Sequence, residues 1–384
     1  METIIRQSVG IDIAKASFTA CSCKNYNSSS IELSQAVQFD NSRTGFNQLL
    51  KWVRKNKANL TQVVFVMEAT GIYYEPLAYH LHKLHLQVAV LLPNKVKHYA
   101  KSLNIKSKTD KIDASIIARM GAERQLALWQ PPLPVLKTLR AVTRLYTDLK
   151  VQRTAFQNRL KSVEAGNEPL NFIIQSTNSI IKKLDGEIKK CEAQIEKIIQ
   201  SEKWLEEKVK KLITIKGVGL ITIAIVIAET QGFKLITNAK QLSSYAGYDV
   251  VERESGTSVK GRTKISKKGN SRIRAALHFP ALVASRHNQH LKNVYQRINK
   301  NKASKMVGAT ALQRKLLTLI YSLWKNNTVY EQKKENITSG NQEIKPLLRL
   351  KDEVLEKITG RPISLPAQDE LPLNLSTEAL LRLI

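Results

Sequence analysis

The chain has 384 residues, 42% of them hydrophobic, so it is too long for one ordinary core and apolar enough to fold as two or three domains. Its 61 Lys and Arg against 32 Asp and Glu leave a net charge of +29, a surplus that repels itself in a compact chain and that a large polyanion relieves most simply. Such a balance suits a ribosomal or chromatin-like binder as well as an enzyme, while three cysteines (Cys21, Cys23, Cys191) make neither a disulfide framework nor a zinc pattern.

Residues 1–128 alternate strand and helix patterns. Val9–Ala14 and Ser17–Cys23 read as paired strands, with Ile31–Phe39 as a third. Cys21 and Cys23 fall on one strand face, which suits core packing. A helical pattern covers Thr44–Val53, buried-strand runs cover Val63–Met67 and Leu86–Leu92, and helices are expected between and after them. This order is that of the ribonuclease-H-like fold.

Pro131, Pro132 and Pro134 punctuate the end of that unit. Residues 135–210 are helical with hardly a breaker, and Gly166-Asn167-Glu168-Pro169 is the obvious reversal point, so a long antiparallel hairpin or coiled coil is expected. Residues 211–330 form a third, mainly helical unit, opening with Ile215-Lys216-Gly217-Val218-Gly219 before an apolar helix. That turn fits a helix-hairpin-helix phosphate contact and a tight packing of two glycines equally well. The polar tail 331–384 suggests no function. The fold class is therefore α/β followed by all-α. No secretory pattern opens the chain and no apolar run, the longest being Leu220–Ala228, reaches bilayer length, so a reduced, cytoplasmic location is expected.

Four carboxylates stand out. Asp12 is a charge inside the apolar strand Val9-Gly10-Ile11-Asp12-Ile13-Ala14, where it needs a metal, a cation or an opening. Glu68 ends the next apolar strand, and Asp110 and Asp113 would project from one helix face. Singly, Asp12 reads as a turn or salt-bridge residue, Glu68 as a helix N-cap acid, and the aspartates as an acidic first turn. Jointly they fall where a ribonuclease-H-like sheet gathers its acids. Four gathered carboxylates cannot all stay ionised without cations, and oxygen ligands of this kind select Mg²⁺ or Mn²⁺; two ions roughly 3.5–4 Å apart suit in-line phosphoryl transfer.

A second constellation runs from Tyr245-Ala246-Gly247-Tyr248 through Glu254-Ser255-Gly256 to Lys267-Lys268-Gly269-Asn270. Its glycines permit close backbone approach to a phosphate, and Lys260, Arg262, Lys264, Lys267, Lys268, Arg272 and Arg274 supply charge. Ser255 could present a hydroxyl there, but a serine is a weak nucleophile unless a base or metal activates it. From spacing alone the blander reading is the stronger: a basic loop that holds nucleic acid, with Ser258, Ser266 and Ser271 as rival serines. Lys108 and Lys111 beside the acidic pair, and Arg144 and Arg153 in a helical stretch opposed only by Asp148 and Glu164, are further candidate phosphate contacts, the sign bias there being too lopsided for salt-bridge lacing.

Together these motifs resemble the DEDD transposases of insertion sequences, a group related to pilin-gene DNA invertases and guided by a bridge RNA. The resemblance spans residues 5–325 and rests on Gly10-Ile11-Asp12-Ile13-Ala14-Lys15, Met67-Glu68-Ala69-Thr70-Gly71, Lys108-Thr109-Asp110-Lys111-Ile112-Asp113-Ala114, Ile215–Gly219, Tyr245-Ala246-Gly247, Glu254-Ser255-Gly256 and Lys267–Asn270. It implies a RuvC-like domain (1–128), a coiled-coil connector (135–210) and a transposase domain (211–330). It further implies Mg²⁺ or Mn²⁺ on Asp12, Glu68, Asp110 and Asp113, attack by Ser255 on a DNA phosphodiester, donor and target DNA with a guide RNA as partners, and a homo-oligomer, dimer or tetramer. Two competing readings are a RuvC-like structure-selective nuclease that cuts with water, and a non-catalytic nucleic-acid scaffold.

Overall fold

The computed structural model describes residues 2–56, 60–69, 71–167, 170–252, 254–255, 259–261 and 263–331, with the backbone alone at Ser255, Val259 and Lys260. The N-terminal sheet starts as a hairpin: β1 (Ile4–Ile13) runs antiparallel to β2 (Ser17–Tyr26). The expected third strand is two short ones, β3 (Ile31–Leu33) and β4 (Val37–Asp40), both paired with β2. The break has a local cause, because the Ser34 hydroxyl accepts the Ser22 amide at 2.9 Å and so takes the place of a ladder carbonyl. β5 (Val63–Glu68) lies parallel to β1, and β6 (Gln87–Leu91) parallel to β5, giving the order β3-β2-β1-β5-β6.

Alternation along β1 and β5 sorts side chains between two helical layers. Val9, Ile11, Phe65 and Met67 join Phe46 and Leu49 of α1 (Arg43–Lys55) and Leu77 and Leu81 of α2 (Glu75–Lys83). On the other face Val66 packs with Val96 and Tyr99 of α3 (Pro93–Ser102) and Ile116, Ile117 and Met120 of α4 (Asp110–Glu123). Cys21 and Cys23 are buried against Ala114, Ala118 and Ala122 of α4, in the core as their spacing predicts. α4 approaches β1 so closely that a Cβ on Gly10 would lie 2.0 Å from the Ala118 amide nitrogen.

The rest is mostly helical. α5 (Pro134–Glu164) and α6 (Asn171–Gln200) form an antiparallel hairpin: Arg153 pairs with Asp185, while Tyr146, a turn or two nearer the base, meets Glu192 on the returning helix. Of the expected reversal residues, Glu168 and Pro169 lie outside the described residues. The helical run also breaks at Ser201 before α7 (Lys203–Ile213). The apolar α8 (Leu220–Thr230) is buried along most of its length and followed by α9 (Ala239–Tyr245). Next comes an unexpected set of two-residue strands: β7 (Val250–Val251) with β10 (Lys264–Ile265), and β8 (Glu254–Ser255) with β9 (Val259–Lys260). α10 (Ser271–Ala276), α11 (His278–His287), α12 (Gln289–Asn299) and α13 (Met306–Asn326) complete the described chain. Among the described residues, no helix is long and apolar enough to cross a membrane.

Candidate functional site

Strand alternation explains where the acids go. Gly10 faces α4, so Asp12, two residues on, faces the same layer; Val66 packs in that layer, and Glu68 follows it by two. The last parallel rung joins Ile11 to Met67, so Asp12 and Glu68 leave the carboxyl ends of neighbouring strands side by side. α4 begins over this edge. Thr109 caps it by accepting the Ile112 amide, which sets Asp110 and Asp113 in its first turn. That turn is the acidic N-terminus of the blander reading and also brings both aspartates to Asp12.

The acids feel one another. Burial and the charges of Asp113, Asp110 and Glu68 push the Asp12 carboxyl up to about 6, with Lys108 opposing. Burial raises Asp113 too, against Lys108 and with Asp110. The donor chemistry, four oxygen-bearing acids with one nearby lysine acting on them, fits a hard divalent cation. Among the described residues, however, no three His, Cys, Asp or Glu side chains close into a ligating group.

Ser255 stands on a separate structure, the β8–β9 hairpin, opposite Val259. Gly256, Ser258 and Arg262 lie outside the described residues, as do the side chains of Ser255 and Lys260. The base of this hairpin is stapled: the Ser266 amide donates to Asp249 O at 2.8 Å, Lys267 N to Gly247 O at 3.1 Å, and Asn270 N to Tyr245 O at 2.8 Å. A Cβ on Gly269 would sit 2.4 Å from Gly247 N. Here Gly247 (φ +73°) and Gly269 let two loops touch each other, where the sequence suggested approach to a phosphate. Gly217 (φ +91°) likewise packs on α11, its Cβ position 3.1 Å from Val283 Cγ1, which favours the packing reading of the Ile215–Gly219 turn.

Beneath the staple lies a network that sequence reasoning missed. Glu229, its side chain 2% exposed, accepts from Arg144 Nε at 2.7 Å and Nη2 at 2.9 Å, and from Asn270 Nδ2 at 2.8 Å. Asn270 Oδ1 in turn accepts the Arg272 and Ile273 amides and caps α10, and the Tyr245 hydroxyl donates to Glu229 O at 2.7 Å. Burial raises the Glu229 carboxyl, but hydrogen bonds from Arg144 and Asn270 and the charges of Arg144 and Arg140 together outweigh burial and hold it below the usual range. The signal was available: Glu229 is a lone acid in an apolar helix, as Asp12 is in an apolar strand.

The basic candidates divide. Lys108, Lys111, Lys264, Lys267 and Lys268 are exposed. Arg144 is held by Glu229, Arg153 by Asp185, Arg272 by Asp148, and Arg274 donates to Ala246 O and Gly269 O. The lopsided charge of the α5 sequence is thus partly balanced by acids from other elements, Lys137 with Glu75 of α2 among them.

An acid cluster at a sheet edge, followed by a helical half carrying a basic serine hairpin, is matched by known proteins in the same order. Residues 9–163 match the DEDD family described as transposase, and residues 209–296 match the family described as transposase of the IS116/IS110/IS902 type. The class is that of DNA transposases and recombinases, which are enzymes. The chain belongs to the IS110 family of insertion-sequence transposases. It is 31% identical over 328 residues to the pilin gene-inverting protein of Moraxella bovis, covering 85% of this chain and 98% of that one. It is also 31% identical over 331 residues to the protein of that name from Moraxella lacunata, with the same coverage. A solved Ppx/GppA family member from Aquifex aeolicus, 9% identical over 84% of this chain and 92% of its own, superposes with a TM-score of only 0.20 and says nothing of the fold.

Proposed function

We propose that the protein cuts and rejoins DNA for an insertion sequence, using Asp12, Glu68, Asp110 and Asp113 as a metal-binding cluster and Ser255 as nucleophile. The observation that carries this reading is that Asp12, near the carboxyl end of β1, feels the charges of Glu68 at the end of β5 and of Asp110 and Asp113 in the first turn of α4. The strand order, an antiparallel hairpin beside two parallel strands, supports a ribonuclease-H-like (RuvC-like) domain over residues 1–128. The connector is residues 135–210 and the serine-bearing domain residues 211–330, with the tail 331–384 unassigned. Val151 and Phe172, exposed apolar residues on the α5–α6 hairpin, support a coiled-coil pairing of copies into a dimer or tetramer. Family resemblance supports a guide RNA beside donor and target DNA.

In the reaction, Ser255 Oγ forms a bond to phosphorus and loses its proton, while the bond from phosphorus to one deoxyribose oxygen breaks and that oxygen leaves as a hydroxyl. The phosphoserine ester keeps the bond energy, and a hydroxyl of the new partner strand displaces serine by the reverse exchange. Mg²⁺ or Mn²⁺ on the four acids supplies, when bound, positive charge for the oxygens of the transferring phosphoryl group. The acids hold that charge at the sheet edge.

The test is covalent trapping with Mg²⁺, labelled donor and target DNA and RNA from the element's flanks. A protein–DNA adduct is expected, lost in both Ser255→Ala and Asp12→Asn. Cleaved DNA without an adduct, indifferent to Ser255→Ala, would replace serine by water and make the protein a hydrolytic nuclease. Activity untouched by Asp12→Asn would leave a scaffold.

Proton competition gives a second expectation. A ligand acid must be ionised, and Asp12 sits near 6, so below that pH bound metal must displace its proton. Mg²⁺ affinity, read from the Mg²⁺-induced rise in Tm, should fall about tenfold per pH unit below 6 and level off above 7. Asp12→Asn should flatten this profile; a profile unchanged in that variant would remove Asp12 from the metal cluster.

A further inference from the structure

Between Ser255 and Tyr330 the sequence holds 16 Lys and Arg and no Asp or Glu. Part of this charge surrounds a cleft of about 900 Å³ formed by α11, α12 and the loop before α13, with Arg286, Lys292, Arg297, Lys300, Lys302 and Lys305 on its walls. α12 turns its apolar side, including buried Leu291 and half-buried Val294 and Ile298, away from solvent, which leaves Lys292, Gln296 and Lys300 in a row one turn apart facing the cleft. Tyr295, half-buried, adds an aromatic wall.

The cleft is pinned at both ends. Buried Asn288 caps α12 by accepting the Leu291 amide at 3.2 Å. At the other end, Asn299 Oδ1 accepts the Gly308 amide at 3.0 Å, and Asn299 Nδ2 donates to Lys305 O at 3.4 Å. A Cβ on Gly308 would lie 2.3 Å from Asn299 Nδ2, so the absent side chain lets the Lys300–Lys305 loop fold back onto α12. Among the described residues none of the six cations is paired with a carboxylate. Six like charges on the walls of one cleft are held there by structure at an electrostatic cost that an anion would offset.

We propose that this cleft grips the sugar-phosphate backbone of a nucleic-acid strand or duplex, as a site additional to the reacting phosphodiester. The inference rests on the function proposed above for its substrate class. DNA and RNA share the recognising chemistry, so the test separates them.

Binding of the full chain to a random-sequence 40-bp DNA duplex and to a 40-nucleotide RNA hairpin is measured by fluorescence anisotropy across a salt series. The triple variant Lys300→Ala/Lys302→Ala/Lys305→Ala is compared with Lys182→Ala/Lys183→Ala/Lys189→Ala, an equal charge change on exposed positions of α6. The cleft triple should weaken binding about tenfold to a hundredfold at physiological salt and lower the salt slope by roughly two to three, while the α6 triple changes affinity less than about threefold. Loss for DNA alone, for RNA alone or for both supports the cleft and names its occupant. Equal losses in the two triples, or none in the cleft triple, overturn it. If the cleft triple melts early, Arg286→Gln/Arg297→Gln, on the α11 and α12 walls, gives the same reading. An adduct that depends on Ser255 with binding indifferent to the cleft sinks the cleft alone. Cleft-dependent binding with no adduct from any variant sinks the proposed chemistry and leaves the cleft standing.

Discussion

Gly10→Ala is expected to destabilise the sheet half of the protein by about 3 kcal/mol and to abolish strand transfer together with it. The added Cβ would lie 2.0 Å from Ala118 N, 2.3 Å from Ala114 O and 2.6 Å from Ala118 Cα. All three atoms are backbone, so no rotamer change relieves them and α4 must move off β1. Because α4 carries Asp110 and Asp113 and β1 carries Asp12, the displacement pulls the acid cluster apart. Gly186→Ala on α6 gives the opposite sign: nothing lies within 4 Å of its Cβ, and the helix should gain about 0.5–1 kcal/mol. Urea denaturation and Mg²⁺-induced stabilisation of both variants check this. A Gly10→Ala protein that unfolds like its parent and still responds to Mg²⁺ would show that the close approach does not govern the cluster.

Arg144→Ala should cost about 3–5 kcal/mol, because it leaves the Glu229 carboxylate buried with Asn270 as its remaining side-chain hydrogen-bond donor among the described residues. The asymmetry of exposure, 47% for the arginine side chain and 2% for the glutamate, puts the penalty on the residue left behind. Arg144→Ala/Glu229→Leu should therefore recover most of the loss, since removing both charges removes the desolvation cost. The cycle is read by chemical denaturation. A double variant no more stable than Arg144→Ala would mean that Arg144 acts by packing its stem instead of neutralising Glu229. The arginine flagged as a phosphate contact holds the Glu229 carboxylate, with 47% of its side chain still exposed.

The sheet was legible because its strands are apolar runs bounded by polar turns, and Asp12 because a charge interrupts such a run. Asp110 and Asp113 were legible as a helical pair, though sequence spacing cannot tell an acidic first turn from a site, and only the fold brings that turn to Asp12. The ion pairs were not legible. Arg144 and Glu229, Lys137 and Glu75, and Arg153 and Asp185 are joined by folding across long stretches of chain, so local charge counts made α5 look unbalanced. The two-residue strands around Ser255 are too short to carry an alternation pattern. Glu229 was missed although the reasoning that found Asp12 applies to it unchanged.

The first three turns of α5 set how the two halves keep their phase. Lys137 ties α5 to α2 of the sheet half, and Arg144 ties it to α8 of the helical half. Seven residues are close to two full turns, so both handles project from one side of the rod, about 10 Å apart along it. This short stretch is a ruler and a protractor at once: a single inserted residue would lengthen it by only about 1.5 Å but swing one handle about 100° around from the other. The register of the carboxylate edge with the serine hairpin is thus encoded as a count of residues, and the count tolerates whole pairs of turns far better than single steps.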